Sequence, residues 1–242
     1  LRLQVLNIAH KTQKGHIGSS FSVIDILVTM YYTDLFDVSK DINLMGKGHA
    51  CLPLFCILND LGFIDDTYIA KYGTNGGKLG GQSDIGVPTI RYNTGSLGHA
   101  FGVGIGLSVS NKYRHVYAIV GDAECEEGSV WETADFASRV CKSPMILIVD
   151  RNRLGIIHKI DNDRLEEKFR AFGMEYTTID GHNHLDIYMA LCMGVQMKKP
   201  LVVIADTIKG KGVSFMENDT KWHTGVMKQE QYGQARTELH NG

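Results

Sequence analysis

Two oxygen-bearing side chains, Asp122 and Asn152, stand 30 residues apart, each just after a short apolar run. Val116–Val120 leads into Gly121-Asp122-Ala123-Glu124, and Met145–Val149 leads into Asp150-Arg151-Asn152. Apolar runs of this length, bounded by turn and charge signals, read as buried parallel strands. In parallel α/β sheets, ligands sit beyond the carboxyl ends of the strands. A carboxylate, an amide oxygen and a backbone carbonyl there suit Mg²⁺ or Ca²⁺, with water or phosphate oxygens completing the shell. The same two residues would equally serve as a helix cap and a turn, and spacing alone does not choose. A second feature is Thr94-Gly95-Ser96-Leu97-Gly98, which leads into the apolar stretch Ala100–Val109. A helix entered through glycine presents free N–H groups to an anion such as a diphosphate. The segment is neither a Walker sequence nor a G-x-G-x-x-G, so its specificity is low. Within such a helix Gly102, Gly104 and Gly106 together cost about 2–3 kcal/mol relative to alanine, which close approach of another backbone would offset.

The elements that must hold these groups follow from the rest of the pattern. Residues 1–14 read as a helix, interrupted at Gly15-His16-Ile17-Gly18, with Ser19 or Ser20 capping a second, apolar helix through Tyr31. Gly46-Lys47-Gly48-His49 reads as a loop before an apolar helix over about 50–60. The glycine-rich stretch 73–98 reads as a long ordered loop, a kind that is usually functional in compact domains. Helices over about 129–141 and 184–197 and a third strand, Leu201–Ala205, complete a strand–helix alternation. That alternation predicts one α/β domain spanning 1–242, with a mostly parallel sheet covered by helices on both faces.

Composition narrows the function classes. The 242 residues carry 25 Lys+Arg against 27 Asp+Glu, a net charge of -2, which gives no global basic field for nucleic acid or an anionic membrane. No stretch has the roughly 18 consecutive apolar residues of a membrane span. Five scattered cysteines without a Cys-x-x-Cys pair predict a reduced, cytoplasmic chain without structural zinc. The 27 glycines, about 11% against a usual ~7%, concentrate in the loops described above.

Taken in order, these segments form a set: Lys14-Gly15-His16, Gly46-Lys47-Gly48-His49-Ala50, Leu79-Gly80-Gly81, Thr94-Gly95-Ser96-Leu97-Gly98, Gly121-Asp122 through Glu127-Gly128-Ser129-Val130-Trp131-Glu132, and Asp150-Arg151-Asn152. The set resembles the transketolase family, and more narrowly its thiamine-diphosphate-binding N-terminal half as found in transketolases split over two chains. Each motif is modestly specific; all of them in this order, from about residue 3 to 235, are highly specific. The resemblance implies that Asp122, Asn152 and the carbonyl of Leu154 bind Mg²⁺ or Ca²⁺. It implies that Gly95, Leu97, Gly121, Ala123 and Ile156 line the cofactor pocket. His16, His49 and His223 match the family's active-site histidines, which contact donor sugar and cofactor and assist proton transfers. Glu127 matches a buried carboxylate linking the two halves of the active site. Taken singly, each of these histidines reads as solvated or structurally satisfied, since the chain has ten.

Two positions depart from the family pattern. Gln82 stands where a substrate-contacting histidine is usual, and an amide hydrogen-bonds a hydroxyl without exchanging protons near neutral pH. Ala123 replaces the glycine after the metal-binding aspartate, which is tolerable where φ is negative. The resemblance further implies ketol transfer from a ketose to an aldose via thiamine diphosphate. The cofactor-activating glutamate is expected on a separate C-terminal, pyrimidine-binding subunit, in a dimer of heterodimers acting on sugars or sugar phosphates. The rival readings are another thiamine-diphosphate enzyme subunit, of the 2-oxo acid dehydrogenase or deoxyxylulose-phosphate synthase type, and a non-catalytic cofactor-binding module.

Overall fold

A computed structural model describes residues 1–161 and 163–241. Its centre is a five-stranded sheet: β1 (Ile42–Met45), β2 (Val116–Gly121), β3 (Met145–Arg151), β4 (Glu175–Asp180) and β5 (Leu201–Asp206). The strands lie in the order β1-β2-β3-β5-β4, and every pairing is parallel. Side chains alternate across a strand, so β2 sends Tyr117 and Ile119 into one core and Val116, Ala118 and Val120 into the other. β3 and β5 divide in the same way. Both faces of the sheet are therefore buried, as its continuous apolar runs require.

Helices α1 (Arg2–Thr12), α2 (Ile17–Tyr31), α3 (Leu52–Asp60) and α8 (His184–Gln196) contribute to the first core. Helices α5 (His99–Val109), α6 (Gly128–Val140) and α7 (Leu165–Ala171) pack in the second. The short α4 (Asp66–Ala70) and the terminal α9 (Gln229–Asn241) complete the helical set. The path from β2 to β3 crosses one face through α6, and the return from β4 to β5 crosses the opposite face through α8. Reversing direction while keeping right-handed crossovers requires this change of face.

The helices over 1–14, 50–60, 129–141 and 184–197 and the three apolar strands lie where the sequence places them. The capping expectation is corrected. Helix α2 begins at Ile17 with His16 at its N-cap, and Ser19 and Ser20 lie inside its first turn, buried. Ser22, one turn on, faces the sheet and donates to Asp150 Oδ2 at 2.6 Å. Residues 73–98 form no helix and no strand of the sheet, and a single bridge, Ile85 to Val87, pins their middle.

Candidate active site

The carboxyl ends of β2 and β3 come into register at Gly121 and Asp150, which places the next residues of both strands side by side. Asp122 N donates to Asp150 O at 3.2 Å. Beyond β3 the chain turns sharply at Arg153, whose φ of 61° is left-handed. That turn aims Arg153 N at Asp122 Oδ2, 2.5 Å away, while Asp122 Oδ1 accepts from Ala123 N at 2.9 Å. Asn152 Oδ1 accepts from Leu154 N at 3.1 Å. The cap and the turn allowed by the sequence therefore both exist, and they orient the two side chains. Asp122, Asn152 and Leu154 line one cavity of about 150 Å³.

The cavity is rich in buried charge. Asp150 is fully buried and ion-paired with Lys47, and accepts further hydrogen bonds from Ser22 and Thr207. Lys209 reaches the cavity from the segment after β5, donating to Leu154 O at 3.0 Å and Gly155 O at 3.1 Å. Burial, then the neighbouring Lys47, lowers its pKa to about 8. Asp122 moves the other way. Burial and then the charge of Asp150 raise its pKa to about 6, against the pull of its two backbone donors and Lys47. A carboxylate so placed favours a neighbouring cation.

Three imidazoles meet at the cavity. His16, His49 and His223 form a near-equilateral triangle, with ring centroids 5.0, 5.1 and 5.2 Å apart. They arrive from the start of α2, the turn Gly48–Ala50 after β1, and the turn Thr220–His223. Burial lowers the pKa of each, with Lys209 or Lys47 the next cause: His49 to about 2, His223 to about 4, His16 in the same direction. All three are thus neutral near pH 7. Lys209 Nζ lies 3.1 Å from His223 Nδ1, and an ammonium only donates, so the ring proton sits on Nε2. Among the described residues, His16 Nδ1 is buried without a hydrogen-bond partner.

The other expected site residues fall into two groups. Leu97, Gly121, Ala123 and Ile156 line the cavity. Open space lies where a Cβ on Gly121 would stand, with no heavy atom of the described residues within 4 Å. Ala123 sits in a 3-10 turn, not among the positive-φ residues, so its methyl is unstrained. Gly95 and Gln82 do not line the cavity but sit beside it: Gln82 Oε1 accepts from Thr94 Oγ1 at 3.3 Å, next to Gly95. Glu127 requires a correction. It is exposed at the N-cap of α6, and the buried carboxylate of this segment is Glu124. The turn Ala123–Glu126 directs Glu124 inward, where its oxygens accept from Gly98 N at 2.9 Å and Gly121 N at 3.1 Å. Lys47, Glu124, Asp150 and Lys209 are site residues that sequence reasoning gave no role, because a lone Lys or Glu in a polar motif reads as solvated.

The residues present fit a divalent ion with a diphosphate. Each Asp122 oxygen, Asn152 Oδ1 and the Leu154 carbonyl accepts one hydrogen bond and keeps a lone pair for a hard cation. Two ammonium groups, Lys47 and Lys209, line the same cavity. Among the described residues no group of three or more His, Cys, Asp or Glu side chains is arranged to hold a metal, so such an ion would rely on this mixed oxygen set.

The sequence profile of the family described as transketolase, thiamine diphosphate binding domain, matches residues 1–241. One of the separately encoded subunits of apulose-4-phosphate transketolase from Phocaeicola vulgatus is 33% identical over 98% of this chain and 90% of its own length. The 6-deoxy-6-sulfo-D-fructose transketolase subunit SqwG of Clostridium sp. strain MSTE9 is 30% identical over 99% and 93%. The crystal structure of transketolase from Campylobacter jejuni superposes with a TM-score of 0.89 at 24% identity, covering 99% of this chain but 41% of that one. The chain thus spans about two fifths of a full-length transketolase and nearly the whole of the separately encoded subunits, and neither rival enzyme type is favoured by these names. Matched along almost its entire length, this chain belongs to the transketolase family, as its thiamine-diphosphate-binding domain.

Proposed function

We propose that this chain is the diphosphate-binding subunit of a two-chain transketolase that moves a two-carbon ketol unit from a ketose to an aldose. The observation that carries the reading is the triangle of neutral imidazoles beside a cavity lined by both carboxylate and ammonium groups. Thiamine diphosphate, when bound, supplies the carbanion chemistry that ketol transfer needs. Asp122, Asn152 and the Leu154 carbonyl hold Mg²⁺ or Ca²⁺, and Lys47 and Lys209 face the diphosphate. Leu97 and Ile156 supply apolar walls, while Gly95, Gly121 and Ala123 let the backbone approach closely.

The histidines divide the remaining work. His16, His49 and His223 hydrogen-bond the sugar hydroxyls and, being neutral, can accept a proton as well as donate one. An anion beside Lys47 and Lys209 offsets the cationic field that depresses these imidazoles, moving them toward the range useful for proton transfer. Gln82 contacts substrate only as a hydrogen-bonding amide. That difference, and the relatives' names, favour a ketose outside the common set, as free sugar or sugar phosphate.

The chain serves as a single diphosphate-binding domain, partnered by a C-terminal subunit with the pyrimidine-binding domain, two copies of each forming the enzyme. Relatives of matching length named as subunits support this, and Glu127, exposed here, is placed to meet the second chain. Five free cysteines support a cytoplasmic setting. The test mixes this chain with its partner subunit, thiamine diphosphate and Mg²⁺, and measures ketol transfer over a panel of ketoses. Transfer by the pair, with neither chain active alone, supports the reading. Turnover by this chain alone, or decarboxylation of pyruvate in place of ketol transfer, overturns it.

A further inference from the structure

The segment that carries Lys209 into the cavity is anchored at almost every residue. Thr207 N donates to Arg151 O at 3.0 Å, Gly210 N to Gly18 O at 2.9 Å, and Asn218 N to Lys209 O at 3.0 Å. One anchor is different in kind. Ile208 N, adjacent to Lys209, donates to a side chain, His182 Nε2, at 2.8 Å. An amide only donates, so Nε2 accepts and the imidazole proton sits on Nδ1. Nδ1 lies 2.6 Å from Asp25 Oδ2, and Arg2 clamps both oxygens of that carboxylate, at 2.8 and 2.7 Å. His182 itself is remote from the chemistry. It sits in the turn between β4 and α8 and lines a separate cavity with Arg2 and Asp25.

We infer that His182, fixed in its Nδ1–H form by Asp25, is a positioning residue that sets Lys209 for the cofactor diphosphate through the Ile208 amide. The inference rests on the cofactor site proposed above. Its physical basis is that a buried ammonium held by two carbonyls and an imidazole has little freedom to re-aim if its backbone shifts. Aspartate, histidine and amide form one chain of directed hydrogen bonds across three elements, which a merely space-filling residue would not need.

The test measures Mg²⁺-dependent thiamine diphosphate binding by calorimetry, using the full chain with its partner subunit. His182→Leu should weaken binding about tenfold. His182→Gln, whose Oε1 can accept the Ile208 proton, should recover part of the loss. In a Lys209→Met background, His182→Leu should add nothing, because its effect runs through that ammonium. Independent additive losses, or unchanged binding in folded His182→Leu with Lys209→Met impaired, overturn the positioning role alone. Unchanged binding in Lys209→Met overturns the underlying site reading instead. A ¹⁵N-histidine NMR spectrum of the wild-type protein needs no variant to fold: an Nδ1–H tautomer at His182 supports the inference, and an Nε2–H tautomer overturns it.

Discussion

Two buried aspartates at opposite ends of the sheet are treated in opposite ways. Asp41 precedes β1 at the amino end and is met from all sides. Arg114 grips both its oxygens, His115 N donates at 3.0 Å and Asp37 N at 2.8 Å. Asp122 follows β2 at the carboxyl end and, among the described residues, accepts only two backbone amides, while the nearby charge of Asp150 pushes its pKa up to about 6. The fold balances its own acid where nothing binds and leaves the other for a cation to balance. Perturbed carboxylates left in that condition mark functional sites more often than structural ones.

The strongest test of that contrast is Lys47→Met, which strips the internal counter-ion from fully buried Asp150. Removing one partner of a buried pair costs about 3–5 kcal/mol, whereas replacing both with apolar groups is often close to neutral. Urea denaturation should show that loss in Lys47→Met and most of it recovered in Lys47→Met/Asp150→Leu. Next come the two aspartates themselves. Asp122→Ala should weaken Mg²⁺-dependent cofactor binding on the order of a hundredfold, about 2.7 kcal/mol, with the cofactor-free chain as stable as wild type or more so. Asp41→Asn should do the reverse, lowering stability by about 2 kcal/mol and leaving binding unchanged. If Asp122→Ala destabilises the free chain as Asp41→Asn does, Asp122 is a cap and the contrast is lost.

Much of this was legible in sequence, for reasons that explain the rest. Strands β2, β3 and β5 are continuous apolar runs buried on both faces, so their ends, and hence Asp122 and Asn152, could be placed. β1 has four residues and is interrupted by Asn43, and β4 is a polar edge strand, so neither carries such a run. The histidine triangle has no local signal, because His16, His49 and His223 are joined only by the tertiary fold; resemblance alone identified them. Lys209 and Lys47 become buried cations only once the carbonyls and carboxylate that satisfy them are in place. The serines of α2 resemble caps because the sequence does not reveal that the helix starts at Ile17, two residues before them.

Acid separates balanced from unbalanced carboxylates in a titration. Burial opposes the charge of Asp25, but hydrogen bonds from His182 and Arg2 outweigh it and hold its pKa at about 2. Its depressed value contributes stability above the unfolded value of ~3.9, lost as pH falls through about 2. Asp122 has the opposite sign in the cofactor-free chain. Its raised value costs stability above about pH 6, and that cost fades as pH falls toward the unfolded value. Each effect is on the order of 2 kcal/mol. Denaturation of wild type against Asp122→Ala should show wild type gaining between pH 6 and 4, and against Asp25→Asn it should show wild type losing below pH 4. Parallel curves in both comparisons would mean that the two carboxylates are equally balanced.

The smallest effect concerns the glycines of α5, where the sequence led us to expect close approach of another backbone. The neighbours are side chains instead. A Cβ on Gly104 would stand 2.6 Å from Met145 Cε and 3.5 Å from Leu44 Cδ1, inside the second core. A Cβ on Gly106 would meet nothing within 4 Å among the described residues. Gly106→Ala should therefore realise the helical preference for alanine, raising stability by roughly 1 kcal/mol. Gly104→Ala gains the same preference but forces a buried methionine to move in a close-packed interior, which offsets most or all of it. Denaturation midpoints should rise for the first variant and not for the second. Equal gains would show that the core above β2 and β3 yields freely, and the firmness assumed for the strand ends that hold Asp122 and Asn152 would have to be revised with it.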